Sequence, residues 1–408
     1  MKAPLPSPAL DPATTPVASP PLLHQVLTSA RYGINLNLWS ISQRELRLET
    51  TAHWSVRKYV LHGGKQEGVE VVEVDNGRMR FVVVPTRGMS VLKVESGDVR
   101  LGWDSPVKDV VHPKLINLEG RGGLGWLEGF NEWIVRCGLE WAGHPGRDRI
   151  RNNTGDEIEL DLTLHGKIGN IPASKVEVSI EAGTPPRIHI RGLVEERMVH
   201  GPKLSLSTDV STAVGSNSLR FEDAITNHGA SDQEFQIIYH ANFGPPLLGA
   251  GATLAGAIKQ VKSFNSHAAK GAKGYAEYTG PQPGFVEETY CLQPLAGPDG
   301  RTELMLSNAA GDRGVSMIFP VDQLPWVTLW KNLAAEADGY VTGIEPGTGF
   351  PYTRRLEREA GRVPKLASNE TRHFTIDVAI HPDRSGVEAA KQRIEKTQGD
   401  IKTTIDGG

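Results

Sequence analysis

The sequence predicts an all-β protein, a large antiparallel β-sandwich with a few short helices. Its 408 residues include 45 glycines and 27 prolines, many of which separate short runs in which apolar and polar residues alternate. Alternation with a period of two is typical of strands that bury one face, and helical periodicity is sparse in this chain. Many short strands separated by turn residues indicate a sandwich or barrel rather than a βαβ fold.

The clearest strands flank a tight-turn signal at Asn76-Gly77. Residues 68–74 alternate before it, and residues 80–84 resume the pattern after it, which predicts an antiparallel hairpin. By the same criteria we expect further strands at 90–95, 157–164, 175–180, 187–193, 218–226, 234–239, 303–307, 315–320, 327–330, 340–344 and 373–380.

Helices are expected at few places. Residues 385–398 give the strongest signal, because Val387, Ala390 and Ile394 fall on one side of a helix and basic residues fall outside. Residues 24–36 fit a short helix, and residues 46–60 fit either a helix or a strand.

The order of these patterns suggests a division of the chain. We expect a flexible Pro-rich tail at 1–22, an N-terminal extension at 23–67 that packs on the sandwich, the sandwich itself at 68–382, and a C-terminal helix and tail at 383–408. Sandwiches reach about 250 residues as one unit, so one very large β domain and two smaller ones both fit the length. The Gly- and Trp-rich stretch 102–148 predicts a long irregular loop, which is usually functional.

The composition limits the classes of partner that the protein is expected to bind. The formal charge is −4 and the isoelectric point about 6.4, which does not suit a nucleic-acid partner, and no apolar run approaches the length of a membrane span. Two cysteines without a CxxC pair favour a reduced, cytoplasmic protein. We expect a small neutral or mildly polar ligand; the oligomeric state is left open.

Two basic side chains follow predicted strands and adjoin glycines. Arg87, between Pro85 and Gly88, is placed to offer its donors to a ligand oxygen, or it is a solvated arginine in a surface turn. His165 precedes Gly166, and a neighbour without a side chain allows a ligand to approach closely; packing at a strand end explains the histidine equally well.

A second histidine and a glutamate end two further apolar strands. His240, in the run Tyr239-His240-Ala241-Asn242-Phe243, titrates near neutral pH and so suits proton transfer, or it simply lies in a turn. Glu345 precedes Pro346-Gly347, where burial raises the pKa of a carboxyl and makes it a better base; a capping carboxylate is the alternative.

Other motifs are weaker. Several aromatics near these segments, including Trp330 and Tyr290, offer flat faces for the C–H face of a sugar, although buried Trp is also ordinary core material. The Gly-rich run 122–129 lacks the spacing of a dinucleotide loop. No spacing around His144 supports a metal site, so neither a metal nor another cofactor is expected.

Taken in order, the motifs resemble the galactose-mutarotase-like superfamily, and most closely its bacterial branch of uncharacterised proteins similar to aldose 1-epimerases. The matching segments are Pro85-Thr86-Arg87-Gly88-Met89, Cys137-Gly138-Leu139, Leu164-His165-Gly166, Tyr239-His240-Ala241-Asn242-Phe243-Gly244 and Gly343-Ile344-Glu345-Pro346-Gly347-Thr348. They span about three quarters of the chain. The resemblance implies the supersandwich fold of that superfamily.

The resemblance also implies roles. Glu345 is then the catalytic base, His240 the protonated acid, and Arg87 and His165 hold sugar oxygens. We add Asn242, Trp330 and Tyr290 as expected substrate contacts. For the substrate-binding aspartate of the family, Asp104 and the region 287–290 are both candidates.

The expected function is interconversion of sugar anomers by general acid–base catalysis, with Glu345 and His240 facing each other across a shallow cleft. A lyase or another epimerase acting on a sugar or uronate with the same acid–base pair is a second hypothesis. A non-catalytic carbohydrate-binding protein, which needs the aromatics but no proton transfer, is the third.

Overall fold

A computed structural model describes residues 21–47 and 52–406 of the chain. It shows two large sheets of ten and thirteen strands, which confirms the predicted all-β sandwich. The main apolar core lies between the sheets and takes side chains from both, among them Phe221 and Ile376 from the ten-stranded sheet and Phe81 and Ile237 from the thirteen-stranded sheet. Apolar and polar residues alternate along the strands, which gives each sheet one apolar face. The two apolar faces pack against each other and form the large core.

The ten-stranded sheet, here the first sheet, is antiparallel. With all strands numbered in chain order, it contains β1 (Leu23–Ser29), β2 (Ile34–Asn35), β12 (Lys175–Glu181), β13 (Arg187–Arg197), β14 (Lys203–Ala213), β15 (Ser218–Asn227), β18 (Thr253–Gly256), β21 (Arg301–Ser307), β22 (Gly314–Pro320) and β26 (Thr371–His381). Their spatial order is β18-β21-β22-β26-β15-β14-β13-β12-β1-β2.

The thirteen-stranded sheet, here the second sheet, carries the candidate site on its outer face. It contains β3 (Trp39–Ser42), β4 (Ser55–Val60), β5 (Glu70–Asp75), β6 (Arg80–Val84), β7 (Ser90–Ser96), β8 (Val99–Leu101), β9 (Ile134–Leu139), β17 (Gln236–Phe243), β19 (Ile258–Ser263), β20 (Glu288–Pro294), β23 (Trp326–Asn332), β24 (Val341–Gly347) and β27 (Thr404–Asp406). The spatial order is β27-β19-β20-β23-β24-β17-β9-β7-β6-β5-β4-β3, with β8 beside β7. Strand β27 pairs in parallel with β19, and the other pairs are antiparallel.

Smaller elements complete the fold. Two ribbons pair β10 (Gly146–Arg151) with β11 (Glu157–Leu162) and β16 (Gln233–Glu234) with β25 (Lys365–Leu366). The α-helices are α1 (Gly120–Gly123), α2 (Arg354–Glu359) and α3 (Arg384–Gln398), and short 3₁₀ helices lie at Ala30–Tyr32, Gly64–Gln66, Pro85–Arg87, Pro113–Leu115, Gly125–Gly129, Ile168–Asn170, Ala268–Gly274 and Glu336–Asp338. Within the described ranges, no helix has the length and apolar character that a membrane span requires.

The C-terminal helix confirms the clearest helical signal. Helix α3 buries Val387, Ala390 and Ile394 against Met305 of the first sheet, as the sequence predicted. The side chain of Asp383 accepts a hydrogen bond from the Gly386 N–H and so caps the helix.

Other expectations about secondary structure were wrong or had been left open. The short helix expected at 24–36 is instead strand β1, followed by a 3₁₀ turn, because pairing with β12 overrides local propensity. Residues 46–60, which fitted either a helix or a strand, contain strand β4, and residues 48–51 lie outside the described part. The stretch 102–148 is not irregular throughout: it contains β9, every residue of which is buried, so no alternation marked it.

The divisions expected along the chain correspond to the elements as follows. Of the tail expected at 1–22, residues 1–20 lie outside the described part. The extension expected at 23–67 contributes β1 and β2 to the first sheet and β3 and β4 to the second.

Candidate functional site

The candidate site begins with the register of two central strands. Strand β17 pairs with β24 so that Ile238 lies opposite Gly347 and Ala241 opposite Ile344. This register places His240 opposite Glu345 on the same face of the second sheet, because directly opposed residues project to one side. The sheet therefore brings together two side chains that are 105 positions apart in the chain.

The two side chains touch. His240 Nε2 lies 3.2 Å from Glu345 Oε1, and the residues are only 4% and 2% exposed. We expected them to face each other across a cleft; instead they contact each other on one wall of a cavity. Cross-strand neighbours are too close for a sugar ring to fit between them.

Burial shifts both groups toward their uncharged forms. It raises the pKa of the Glu345 carboxyl well above its ordinary value of 4.5, and the negative charge of Glu287 adds to the effect. Burial lowers the pKa of His240 well below 6.5, and the neighbouring His165 lowers it further. Both shifts favour the arrangement in which the shared proton of the pair lies on the carboxyl and the imidazole is neutral. The protonated His240 expected from the sequence does not agree with these pKa shifts.

The Asn242 side chain favours one tautomer of His240. If Nε2 accepts the carboxyl proton, the ring proton must lie on Nδ1. Asn242, two residues further along the same face of β17, raises the pKa of the ring, although neither Asn242 Oδ1 nor His240 Nδ1 makes a hydrogen bond of normal geometry with a described residue. The Asn242 amide is itself fixed, since Nδ2 donates to the backbone carbonyls of Glu132 and His240.

A strained turn delivers a second histidine to the cavity. His165 has φ 58° and Gly166 φ 71°, and a side chain at position 166 would collide with the carbonyl oxygens of Gly138 and Trp141. His165 Nδ1 lies 2.9 Å from the Ala142 carbonyl oxygen, so it carries the ring proton, and Nε2 is left as an acceptor. Burial lowers the pKa of His165 to about 4.

The cavity around the pair is small and mainly apolar. Its volume is about 260 Å³, and its walls are Leu124, Trp126, Leu127, Phe130, His144, Leu164, His165, His240, Glu287, Thr289, Thr328, Trp330, Glu345 and Pro351. Sites for drug-sized ligands usually occupy about 300–1,000 Å³, so this volume suits a smaller molecule. The Trp330 indole N–H donates to Glu287 at 2.9 Å, which fixes both side chains in the wall.

The charge of the wall is unusual for a polar-ligand site. Neither Lys nor Arg is among the described residues that line it, and the carboxyls are those of Glu287 and Glu345. Burial also lowers the pKa of His144, as it does for the other two histidines of the wall. A ligand in this cavity therefore meets hydrogen-bonding groups but no strong cation.

Arg87 does not reach the cavity. Its guanidinium is fully buried and donates to Glu132, to the Val111 carbonyl and to Asn170. A permanently charged group without solvent must be paired, and these partners pair it inside the protein. In place of the predicted contact with a sugar oxygen, Arg87 forms a buried ion pair with Glu132, and neither residue lines the cavity.

Three further expected contacts also lie elsewhere. Tyr290 follows the cavity-lining Thr289 on β20, so alternation turns it to the other face, where it is buried. Asp104 has a side chain that is 68% exposed, pairs with Arg100 and borders a different surface hollow. Asn242 supports His240 without lining the cavity. His165 and Trp330, in contrast, line the cavity, where they can meet a ligand.

The structure also adds residues that the patterns did not single out. Thr328, opposite Glu345 across β23 and β24, lines the cavity, and its hydroxyl has no hydrogen-bond partner among the described residues. Phe130 packs its ring 5.0 Å from the His240 ring. One sequence signal could have pointed to Phe130: the Gly- and Trp-rich stretch 102–148, which was expected to be functional as a whole. Of the two candidate regions for a substrate-binding acid, 287–290 supplies a cavity carboxyl, Glu287.

Comparison with known proteins places this geometry in context. Residues 66–380 match the family model described as a domain of unknown function, DUF4432. A solved structure of a "putative aldose 1-epimerase" from Klebsiella pneumoniae is 42% identical, with a TM-score of 0.88 over 94% of this chain and 97% of that one. No protein in the curated set matches the sequence.

More distant structures share the fold alone. A galactose mutarotase-like protein from Clostridium acetobutylicum is 12% identical, with a TM-score of 0.54 over 84% of this chain and 98% of that one. A galactose mutarotase related enzyme from Lactobacillus acidophilus is also 12% identical, with a TM-score of 0.50 over 76% of this chain and 97% of that one. Together with the Klebsiella structure, they confirm the resemblance found in the sequence motifs.

Proposed function

The chain belongs to the DUF4432 family, and from its cavity we propose that it is a sugar isomerase of the aldose 1-epimerase type, which interconverts the anomers of a neutral reducing sugar. The observation that carries this proposal is the contact between His240 and Glu345 in the wall of a monosaccharide-sized cavity. The name given to the Klebsiella relative supports the same reaction class.

The pair holds the number of protons that ring opening needs. The Glu345 carboxyl donates its proton to the ring oxygen as the C1–O5 bond breaks and the bonding electrons pass to that oxygen. His240 takes the proton of the anomeric hydroxyl as the C1–O1 double bond forms. After rotation about C1–C2, the same two transfers run in reverse and close the ring on the other face. No other reactant is consumed, and the pair returns to its starting state.

This scheme reverses the roles expected from the sequence. Glu345 acts first as the acid and His240 first as the base, because the shifts of the two pKa values favour a resting proton on the carboxyl. The pair itself is unchanged, and in each full cycle both groups give and take one proton. His165 Nε2 accepts from a sugar hydroxyl, and Trp330 provides an apolar face for the ring.

The cavity favours a neutral sugar over a uronate. A substrate carboxylate would have to be buried near Glu287, and the described wall offers no Lys or Arg to pair with it. The lyase or epimerase hypothesis on uronates is therefore the weaker one.

One observation supports a non-catalytic carbohydrate-binding protein as a second candidate. His240 and Glu345 already satisfy each other across 3.2 Å, and a pair that stays closed upon binding would transfer no proton to the sugar. The apolar wall would then serve only for stacking against the ring.

The experiment that separates these functions is an NMR screen of reducing sugars in deuterated water. We expect the protein to accelerate anomer exchange of at least one neutral aldose, without deuterium entering a carbon position. Incorporation of deuterium at carbon would instead identify a different epimerase. Binding of sugars without any acceleration would identify the non-catalytic protein.

A further inference from the structure

A second hollow adjoins the cavity that holds His240 and Glu345. It has a volume of about 320 Å³ and is lined by Arg121, Leu124, Leu127 and Glu128. Leu124 and Leu127 also line the first cavity. The two hollows are therefore neighbours of similar size that share one apolar wall.

The shared wall is exposed. Leu124 and Leu127 are 37% and 44% exposed, although Trp126 between them is buried in the first cavity. Leucines at the rim of a polar surface can cover the apolar faces of a ligand that passes from one hollow into the other.

The polar groups of the second hollow are uncommitted. Arg121 and Glu128 line it, and neither side chain makes a hydrogen bond or ion pair with another described residue. A guanidinium offers donors and a carboxylate offers acceptors, so together they suit hydroxyl groups, which can do both. Their opposite charges leave the hollow close to neutral, which favours a neutral polyol over an anion.

The backbone at Arg121 is strained. Its φ is 54°, in the left-handed region that non-glycine residues rarely adopt, and Gly122 and Gly123 follow at φ 71° and 91°. Strained positions of this kind cluster at binding sites, where the surrounding structure holds them in place. The conformation marks position 121 as one that the fold maintains at a cost.

We propose that the hollow of Arg121, Leu124, Leu127 and Glu128 is a second sugar subsite, so that the ligand is a reducing disaccharide. The assignment of the reducing unit to the His240–Glu345 cavity rests on the proposed function. The second unit then crosses the Leu124–Leu127 ridge and places its hydroxyls against Arg121 and Glu128.

The test measures binding, so that it does not depend on turnover. Glucose, galactose and the reducing disaccharides maltose, lactose and cellobiose are titrated into the full chain by calorimetry. We expect at least one disaccharide to bind about tenfold more tightly than its reducing-end monosaccharide, since hydrogen bonds to two solvent-exposed side chains contribute about this much together.

Variants of the second hollow locate the preference. Arg121→Asn, which tolerates a positive φ, and Glu128→Gln are each expected to weaken disaccharide binding about fivefold, as loss of one hydrogen bond would, and to leave monosaccharide binding unchanged. The matched control is Arg47→Asn, since Arg47 is also exposed, with φ 51°, and does not line the hollow.

The outcomes are distinct. Equal binding of mono- and disaccharides, no disaccharide binding, or a preference that both variants retain would overturn the second subsite. Anomer exchange of the monosaccharides is measured in parallel. Its absence here and across the wider NMR screen of reducing sugars would refute the isomerase, while the binding preference would still decide the subsite.

Discussion

Strand β17 carries two buried acid–base networks on its opposite faces, and they differ in how completely they are paired. On the inner face, Tyr239 donates to Asp223, which also accepts from Arg136. Arg136 further donates to Thr208 and to the Met89 carbonyl, which closes the network between the sheets. On the outer face, His240 contacts Glu345 beside an open cavity.

The difference lies in what remains unpaired. Each side chain of the inner network has hydrogen-bond partners, whereas His240 Nδ1 and the hydroxyl of Thr328 have none among the described residues. The inner pair is an ion pair, but burial moves the pKa values of both outer partners toward their neutral forms. Burial of an acid and a base is therefore not by itself a sign of function. A buried pair whose pKa values are shifted toward the neutral forms, and which borders a cavity, is a better indicator of a functional site.

The largest effect is expected for Glu345→Gln. Anomer exchange should fall by about 10²–10⁴-fold, because Gln cannot supply the proton. The free energy of unfolding should stay the same or rise, because Gln needs no proton to remain neutral in a buried position. NMR exchange rates and urea denaturation measure the two quantities.

Glu303→Gln is the matched control. Glu303 is also a buried carboxyl, but it pairs with Arg393, and neither residue lines the cavity. Full exchange activity in Glu345→Gln would remove Glu345 from the mechanism.

Arg136→Met tests the inner network. The substitution leaves Asp223 buried without its cation, so we expect the free energy of unfolding to fall by about 3–5 kcal/mol. Arg191→Met is the control, because Arg191 has a side chain that is 38% exposed and pairs with Asp209 at the surface, where about 0–1 kcal/mol is usual. Equal losses of unfolding free energy in the two variants, measured by urea denaturation, would contradict the larger contribution expected of the buried pair.

Tyr239→Phe separates the two faces at a single position. It removes the hydroxyl that donates to Asp223, and loss of a hydrogen bond to a charged group costs about 1.5–3 kcal/mol. Anomer exchange should not change, because the adjacent His240 points the other way. A large drop in exchange with unchanged stability would contradict the assignment of faces.

The pH dependence of exchange follows from the shifted pair. Activity needs one proton on the pair, so it should be highest between an acid limb and an alkaline limb. It should fall in acid below pH 6.5, where His240 gains a second proton, because its pKa is lowered. It should fall in alkali at a pH well above 4.5, where Glu345 ionises, because its pKa is raised. An acid limb above pH 6.5 would contradict this.

The smallest effect is expected for Glu287→Gln. Removing this negative charge lowers the pKa of Glu345, so the alkaline limb should move to lower pH by less than about one unit, as expected for one partly screened neighbouring charge. The Gln side-chain oxygen can still accept from the Trp330 indole. A pH–rate profile measures the shift, and a limb that moves upward would refute the electrostatic role of Glu287.

The sequence indicated part of the site and misplaced the rest. His165, His240 and Glu345 were singled out because each ends or follows an apolar strand, and Trp330 because its flat face suits a sugar; all four line one cavity. Arg87 met the first criterion and Tyr290 the second, and both lie elsewhere. Local pattern reveals that a strand ends, but it does not reveal which way the next side chain points.

The sequence alone determined the all-β class, the hairpin around Asn76-Gly77 and the buried face of helix α3, because period and turn chemistry act over a few residues. Only the tertiary structure decided that Glu345 meets His240, since that contact depends on the register of β17 and β24. The same packing decides which of the two side chains is favoured to carry the shared proton. The pKa values respond to burial by segments that are distant in the chain, and no local pattern encodes that burial.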